Sequence, residues 1–80
     1  DVASADLNIR KVVEMALLTS ASAVILAHNH PSGVALPSQA DVQATVQVRD
    51  ALKRLDIRLI DHIIVADGDY VSMASSGLLR

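Results

Sequence analysis

Apolar residues recur at Ile9, Val12, Val13, Ala16 and Leu17, a spacing of three and four that lines one side of a helix. Asp6 or Asn8 can cap that helix, which is predicted to run to about Thr19. Ser20-Ala21-Ser22 makes a short connection. The period then changes. Ala23-Val24-Ile25-Leu26-Ala27 is a continuous apolar run, as a buried strand requires. Pro31 lacks an N–H and should stop the ladder, and Ser32-Gly33 supplies turn chemistry for a loop reaching Pro37. A second helix is predicted from Ser38 to about Leu55, with Val42, Val46, Val48, Leu52 and Leu55 on its buried side and Asp56 at its end. Ile57 to Ala66 is rich in β-branched residues and reads as a long strand. Asp67-Gly68-Asp69 is a Gly-centred turn, from which Tyr70 to Met73 returns as a short strand, leaving Ala74 to Arg80 as a tail. The order helix, strand, helix, strand, strand predicts an α/β sandwich with a mixed sheet.

Eighty residues make one small domain at most. The chain is 51% apolar yet has neither Phe nor Trp, and Tyr70 is its only aromatic, so the core must be assembled from many aliphatic contacts. Seven Lys and Arg face nine Asp and Glu, a net charge of −2. Arg49, Lys53, Arg54 and Arg58 form the densest basic patch, on a helix end and the strand after it, where cations complement the helix dipole. With no basic excess and one aromatic for stacking, nucleic acid is not the expected partner. The chain has no Cys, which rules out disulfides and thiolate metal sites and fits a cytoplasmic setting. No run approaches the ~18 apolar residues of a membrane helix.

The chemistry is concentrated in the fourteen residues from His28 to Asp41. His28 and His30, two apart at a strand end, project to the same face, with Asn29 turned away. Ser38-Gln39-Ala40-Asp41 reads as a helix start with Ser38 at the N-cap, and positions three apart on a helix share a side. Ser38 and Asp41 can therefore both look back toward the strand end. Ser-x-x-Asp alone is an ordinary capping box, and Asp41 alone could serve only the helix dipole. The convergence of two imidazoles and a carboxylate on adjacent elements favours a metal. A catalytic zinc takes three such ligands and leaves a fourth position open. Elsewhere the chemistry is sparse. His62 lies on its strand between Ile60 and Ile64 and is expected to be a core or hydrogen-bonded histidine, with Asp61 on the opposite face. Asp67 and Asp69 around one Gly fall far short of a calcium loop.

The pattern His28-x-His30-Pro31 … Ser38-x-x-Asp41 resembles the JAMM (MPN+/JAB) metalloprotease motif. With Leu26-Ala27-His28-Asn29-His30-Pro31-Ser32-Gly33, Pro37 to Asp41 and Leu59-Ile60-Asp61-His62-Ile63-Ile64-Val65, the chain is similar to the RadC branch of that fold from about Arg10 to Leu79. The resemblance implies a JAB/MPN-like (cytidine-deaminase-like) α/β sandwich in which zinc is held by His28, His30 and Asp41. It also implies that Ser38 helps to polarise a tetrahedral intermediate, and that water activated on the zinc hydrolyses peptide or isopeptide bonds of a protein substrate. The family's general base is a glutamate on an earlier strand. The only Glu here, Glu14, falls in the first helix, so its role is not transferred. The chain then reads as an N-terminally truncated domain, the C-terminal part of a RadC-type protein, inactive without that base. An exposed sheet edge in such a segment is expected to favour self-association. Two other roles are compatible with the resemblance: a DNA repair or recombination factor, and a non-catalytic interaction module. The first draws little support from charge and aromatic content, and the second is at odds with a complete His28/His30/Asp41/Ser38 set.

Overall fold

The computed structural model describes residues 7–79 and contains five elements: α1 (Ile9–Leu18), β1 (Ala23–Asn29), α2 (Gln39–Lys53), β2 (Arg58–Ala66) and β3 (Asp69–Ser72). Asn8 caps α1, its side-chain oxygen accepting from the Lys11 N–H at 3.1 Å. Asp6, the other expected cap, lies outside the described residues. Ala16 is buried, and Ile9, Val12 and Val13 pack beside it. Leu17 departs from expectation, being 56% exposed. At about 3.6 residues per turn it sits roughly a quarter turn from the centre of that stripe.

The second helix starts as expected, with Ser38 at its N-cap, but ends at Lys53 rather than near Leu55. Asp56 takes a positive φ of 59°, a left-handed conformation that Asp tolerates better than most residues and that no helix continues through. Leu55 therefore falls beyond the helix, and it is 45% exposed. The buried side of α2 is Asp41, Thr45, Val48 and Leu52, with Val42 and Val46 only half-buried. Those four positions repeat at intervals of four, three and four and form a narrower stripe than the valines do. Its first two members are polar.

The sheet has the order β1-β2-β3, with β1 and β2 parallel and β2 and β3 antiparallel. A two-residue turn joins β2 to β3, with Asp67 at φ 44° and Gly68 at φ 76°; positive φ at both central residues is what a type I′ hairpin turn requires. The β1/β2 ladder slips once: Val24 pairs with Leu59, but Ile25 pairs with Asp61. Ile60 is the extra residue, a β-bulge. It changes which side chains face the helices. Ile57 and Leu59 are buried before it, and His62, Ile64 and Ala66 after it. His62 thus shares a face with Ile64 but not with Ile60, which is 43% exposed.

Ala16, Val48, Leu52, Ile57 and Leu59 form the aliphatic core, with Val12, Val13, Val24 and Leu26 packed against it. Both helices thus lie on one face of the mixed sheet, in an α/β fold consistent with the JAB-like architecture that the resemblance implied. The expected tail is folded at its start. The N–H of Ser76 donates to the Ser72 carbonyl at 3.0 Å and that of Leu78 to the Met73 carbonyl at 2.9 Å, while the Met73 side chain is buried. No helix among the described residues is long and apolar enough to cross a membrane.

The loop after β1 turns at Gly33, where φ is 86° and a Cβ would stand 2.5 Å from Asp67 Oδ2. Gly33→Ala is predicted to cost about 1–2 kcal/mol, since it puts a side chain into left-handed backbone as well as crowding the β2/β3 turn. Urea unfolding measures this, and an unchanged midpoint would show that neither the left-handed backbone nor the contact with Asp67 is costly here.

Candidate metal centre

His28 is the last helix-facing residue of β1, and His30 continues that parity one step past the strand. The His30 N–H donates to the Val65 carbonyl at 2.9 Å, a final rung before Pro31, and the Gly33 N–H closes a turn onto the His30 carbonyl at 3.1 Å. That turn places the Val34 carbonyl 2.9 Å from His30 Nδ1. A carbonyl only accepts, so Nδ1 carries a proton, and in the neutral ring Nε2 then keeps its lone pair. His30 Nε2 lies 3.2 Å from Asp41 Oδ2, and His28 Nε2 lies 3.7 Å from Asp41 Oδ1.

Asp41 comes to this point through the start of α2. Ser38 Oγ accepts from the Asp41 N–H at 3.0 Å, and Asp41 Oδ2 accepts from the Ser38 N–H at 2.6 Å. This is the reciprocal capping box the sequence predicted. The box leaves Asp41 buried and Ser38 exposed at the rim.

Ligand atoms of His28, His30 and Asp41 all lie within 4.8 Å of one another. Two ligands about 2.0–2.2 Å from a tetrahedral zinc stand roughly 3.3–3.6 Å apart, so the separations to Asp41 suit a metal. One further observation bears on the fit. His28 Nε2 is buried and has no hydrogen-bond partner. Such an atom costs free energy unless something meets it. Burial lowers the His28 pKa, with His30 adding to the effect and Asp41 opposing it. The shift favours the neutral ring, the form that can ligate.

His62 is buried, as expected, but is not an isolated core histidine. Its Nε2 is 2.9 Å from His28 Nδ1, and its Nδ1 is 2.7 Å from Thr45 Oγ1. Thr45 Oγ1 in turn donates to the Asp41 carbonyl at 2.7 Å. Burial, reinforced by His28, lowers the His62 pKa from 6.5 to about 4 against the opposing pull of Asp41 and Asp61. Sequence reasoning did not single out Thr45. The available signal was its place four residues after Asp41, a polar residue on the buried side of α2. Asp61 faces the other way, as predicted, and accepts from Ser72 Oγ, the Ala74 N–H and the His62 N–H. Partial burial pushes its carboxyl up, yet those hydrogen bonds together hold its pKa below the usual value.

This fold and this cluster agree with the sequence comparisons. A sequence model described as the RadC-like JAB domain matches residues 1–78, and the chain belongs to that family. Among similar proteins, a UPF0758 protein of Stutzerimonas stutzeri is 59% identical over 68 residues, covering 85% of this chain and 30% of the relative. A UPF0758 protein of Cellvibrio japonicus is 54% identical over 70 residues, covering 88% of this chain and 31% of the relative. One from Vibrio cholerae is 59% identical over 68 residues, with shares of 85% and 30%. The chain thus spans less than a third of these relatives' length.

The lowered His62 pKa predicts a pH dependence of stability for the metal-free protein. The unfolded chain binds this proton near pH 6.5 and the folded chain only near pH 4, so stability falls as pH drops through that window. Burial of His28 acts in the same direction. Urea midpoints between pH 7 and pH 4 should decline less steeply in His62→Gln than in wild type.

Proposed function

We propose that this segment is the zinc-holding part of a hydrolase that cleaves peptide or isopeptide bonds. His28, His30 and Asp41 are the protein ligands in this reading, and Ser38 is a hydrogen-bond donor to the substrate oxyanion. The observation that carries it is the buried, partnerless Nε2 of His28, aimed with His30 Nε2 at one carboxylate. Two imidazoles and a carboxylate, without any thiolate, suit zinc, and three protein ligands leave one position for chemistry. Bound zinc supplies a Lewis acid and lowers the pKa of water toward about 7.

The remaining work falls to the chain. His30 is oriented by the Val34 carbonyl, and Asp41 by the Ser38 N–H. Ser38 Oγ accepts from the Asp41 N–H, which leaves its own hydroxyl hydrogen available, and its exposure puts that hydrogen within a substrate's reach. An oxyanion donor needs both. Proton transfer needs a carboxylate beside the reacting water. Among the described residues no further carboxylate joins the cluster, and Glu14 is exposed on α1. In this reading the proton-transfer group is not one of the four residues His28, His30, Ser38 and Asp41. The substrate class rests on membership of the JAB family.

Purified protein should take up about one zinc ion per chain, and His30→Ala should abolish uptake, since each ligand is one of three. Calorimetry or a chelator competition reads this; equal uptake by the variant would remove the assignment.

Ser38 has two roles that separate experimentally. Ser38→Ala should cost about 1 kcal/mol of folding stability through the lost cap. In the whole protein it should also lower kcat by roughly 100-fold or more with zinc retained. Lost stability with undiminished turnover would leave Ser38 only the helix cap.

A further inference from the structure

We infer that Thr45 and His62 are positioning residues that set the tautomer of His28, through a one-way chain of hydrogen bonds that leaves the His28 Nε2 lone pair facing Asp41. The inference rests on the proposed His28/His30/Asp41 metal set.

The direction of the chain follows from its ends. It begins at the Asp41 carbonyl, which only accepts. Thr45 has a single hydroxyl proton, and the carbonyl lies 2.7 Å from Oγ1. The other available acceptor, the Met73 sulfur, is a weak one at 3.8 Å. With its proton committed to Asp41, Thr45 Oγ1 faces His62 Nδ1 at 2.7 Å as an acceptor. His62 Nδ1 must then carry the ring's hydrogen. A neutral imidazole has one, so His62 Nε2 is bare and accepts from His28 Nδ1 at 2.9 Å. His28 spends its only proton there, and its Nε2 is left with a lone pair.

The reverse direction fails at the far end. It would place a hydrogen on His28 Nε2, a buried atom without a hydrogen-bond partner, whose distance to Asp41 Oδ1 is 3.7 Å. A buried donor with no acceptor is costly, and 3.7 Å is too long for a hydrogen bond.

The chain also explains why a polar pair occupies the middle of an otherwise aliphatic packing layer. Thr45 and His62 are both essentially inaccessible to solvent, so neither can meet substrate. They act through His28. The chain starts from the backbone of Asp41 and ends on His28, which ties two of the three cluster residues together although they sit on different elements. His30 reaches the same tautomer by its own route, through the Val34 carbonyl. Outer partners of this kind typically change metal affinity by roughly 10–100-fold when removed.

The test uses the full chain labelled with 15N-histidine, stripped of metal and held at mildly alkaline pH. Long-range proton–nitrogen correlation spectra report which ring nitrogen carries hydrogen. His28 and His62 should both be protonated at Nδ1. Thr45→Val should shift His28 toward the Nε2-protonated form and raise the zinc Kd roughly 10–100-fold, while Thr45→Ser should preserve both. Should Thr45→Val not fold, His62 gives the same comparison. Gln can accept from His28 and donate to Thr45, so His62→Gln should keep zinc affinity near wild type and His62→Leu should lose it. A wild-type His28 protonated at Nε2, or unchanged tautomer and affinity in Thr45→Val, would overturn the inference. A wild-type chain with both Nδ1 protons that takes up no zinc would overturn the metal reading alone and support the tautomer lock.

Discussion

The reciprocal hydrogen bonds between Ser38 and Asp41 hold three things in place at once. They satisfy two of the donors that any helix start leaves unpaired, so α2 begins at a defined residue. They end the loop that follows β1. They also aim a buried carboxylate at the two imidazoles on the neighbouring strand. Without the cap, the first turn of α2 would have no fixed phase. With it, every fourth or third residue after Asp41 is committed to the sheet. The helix dipole favours the arrangement, because Asp41 sits in the first turn, where the unpaired N–H groups favour a negative charge.

From that phase follows a division of labour along one helix. The stripe Asp41, Thr45, Val48, Leu52 is polar at its start and aliphatic at its end. The aliphatic end meets Ile57 and Leu59 and closes the core. The polar end meets His62 and, through it, His28. The site thus has no separate scaffold. It occupies the upper part of the same interface whose lower part supplies the hydrophobic stabilisation, and its polar groups are tolerable there because they bond one another.

Local features were legible in the sequence to different depths. The cap, the strand before His28 and the shared face of His28 and His30 depend on residues only a few positions apart, and their spacing carries the geometry directly. The Asp67-Gly68 turn is equally local. What could not be read was contact between distant segments. Leu17 and Leu55 look like core residues by composition, yet one lies off the packed stripe and the other past the helix end. Thr45 and His62 are 17 residues apart, and neither has a neighbour in sequence that announces the other. The resemblance to the RadC branch supplied the family and the cluster, but said nothing of the link from Thr45 to His28.

The bulge at Ile60 has a consequence of its own. Which side of a strand a residue faces depends on counting, not on chemistry, and Ile60 adds one to the count. It works as a frameshift in orientation: upstream of it odd-numbered residues point inward, downstream even-numbered ones do. Were the strand to pair without the bulge while keeping every residue, regular alternation from Leu59 would turn His62, Ile64 and Ala66 outward together. Asp61, Ile63 and Val65 would be offered to the interior in their place. Deleting Ile60 itself would instead leave Leu59, His62, Ile64 and Ala66 alternating on the inner face, so the extra residue is what lets a strand of this length keep both the core and His62 on one side.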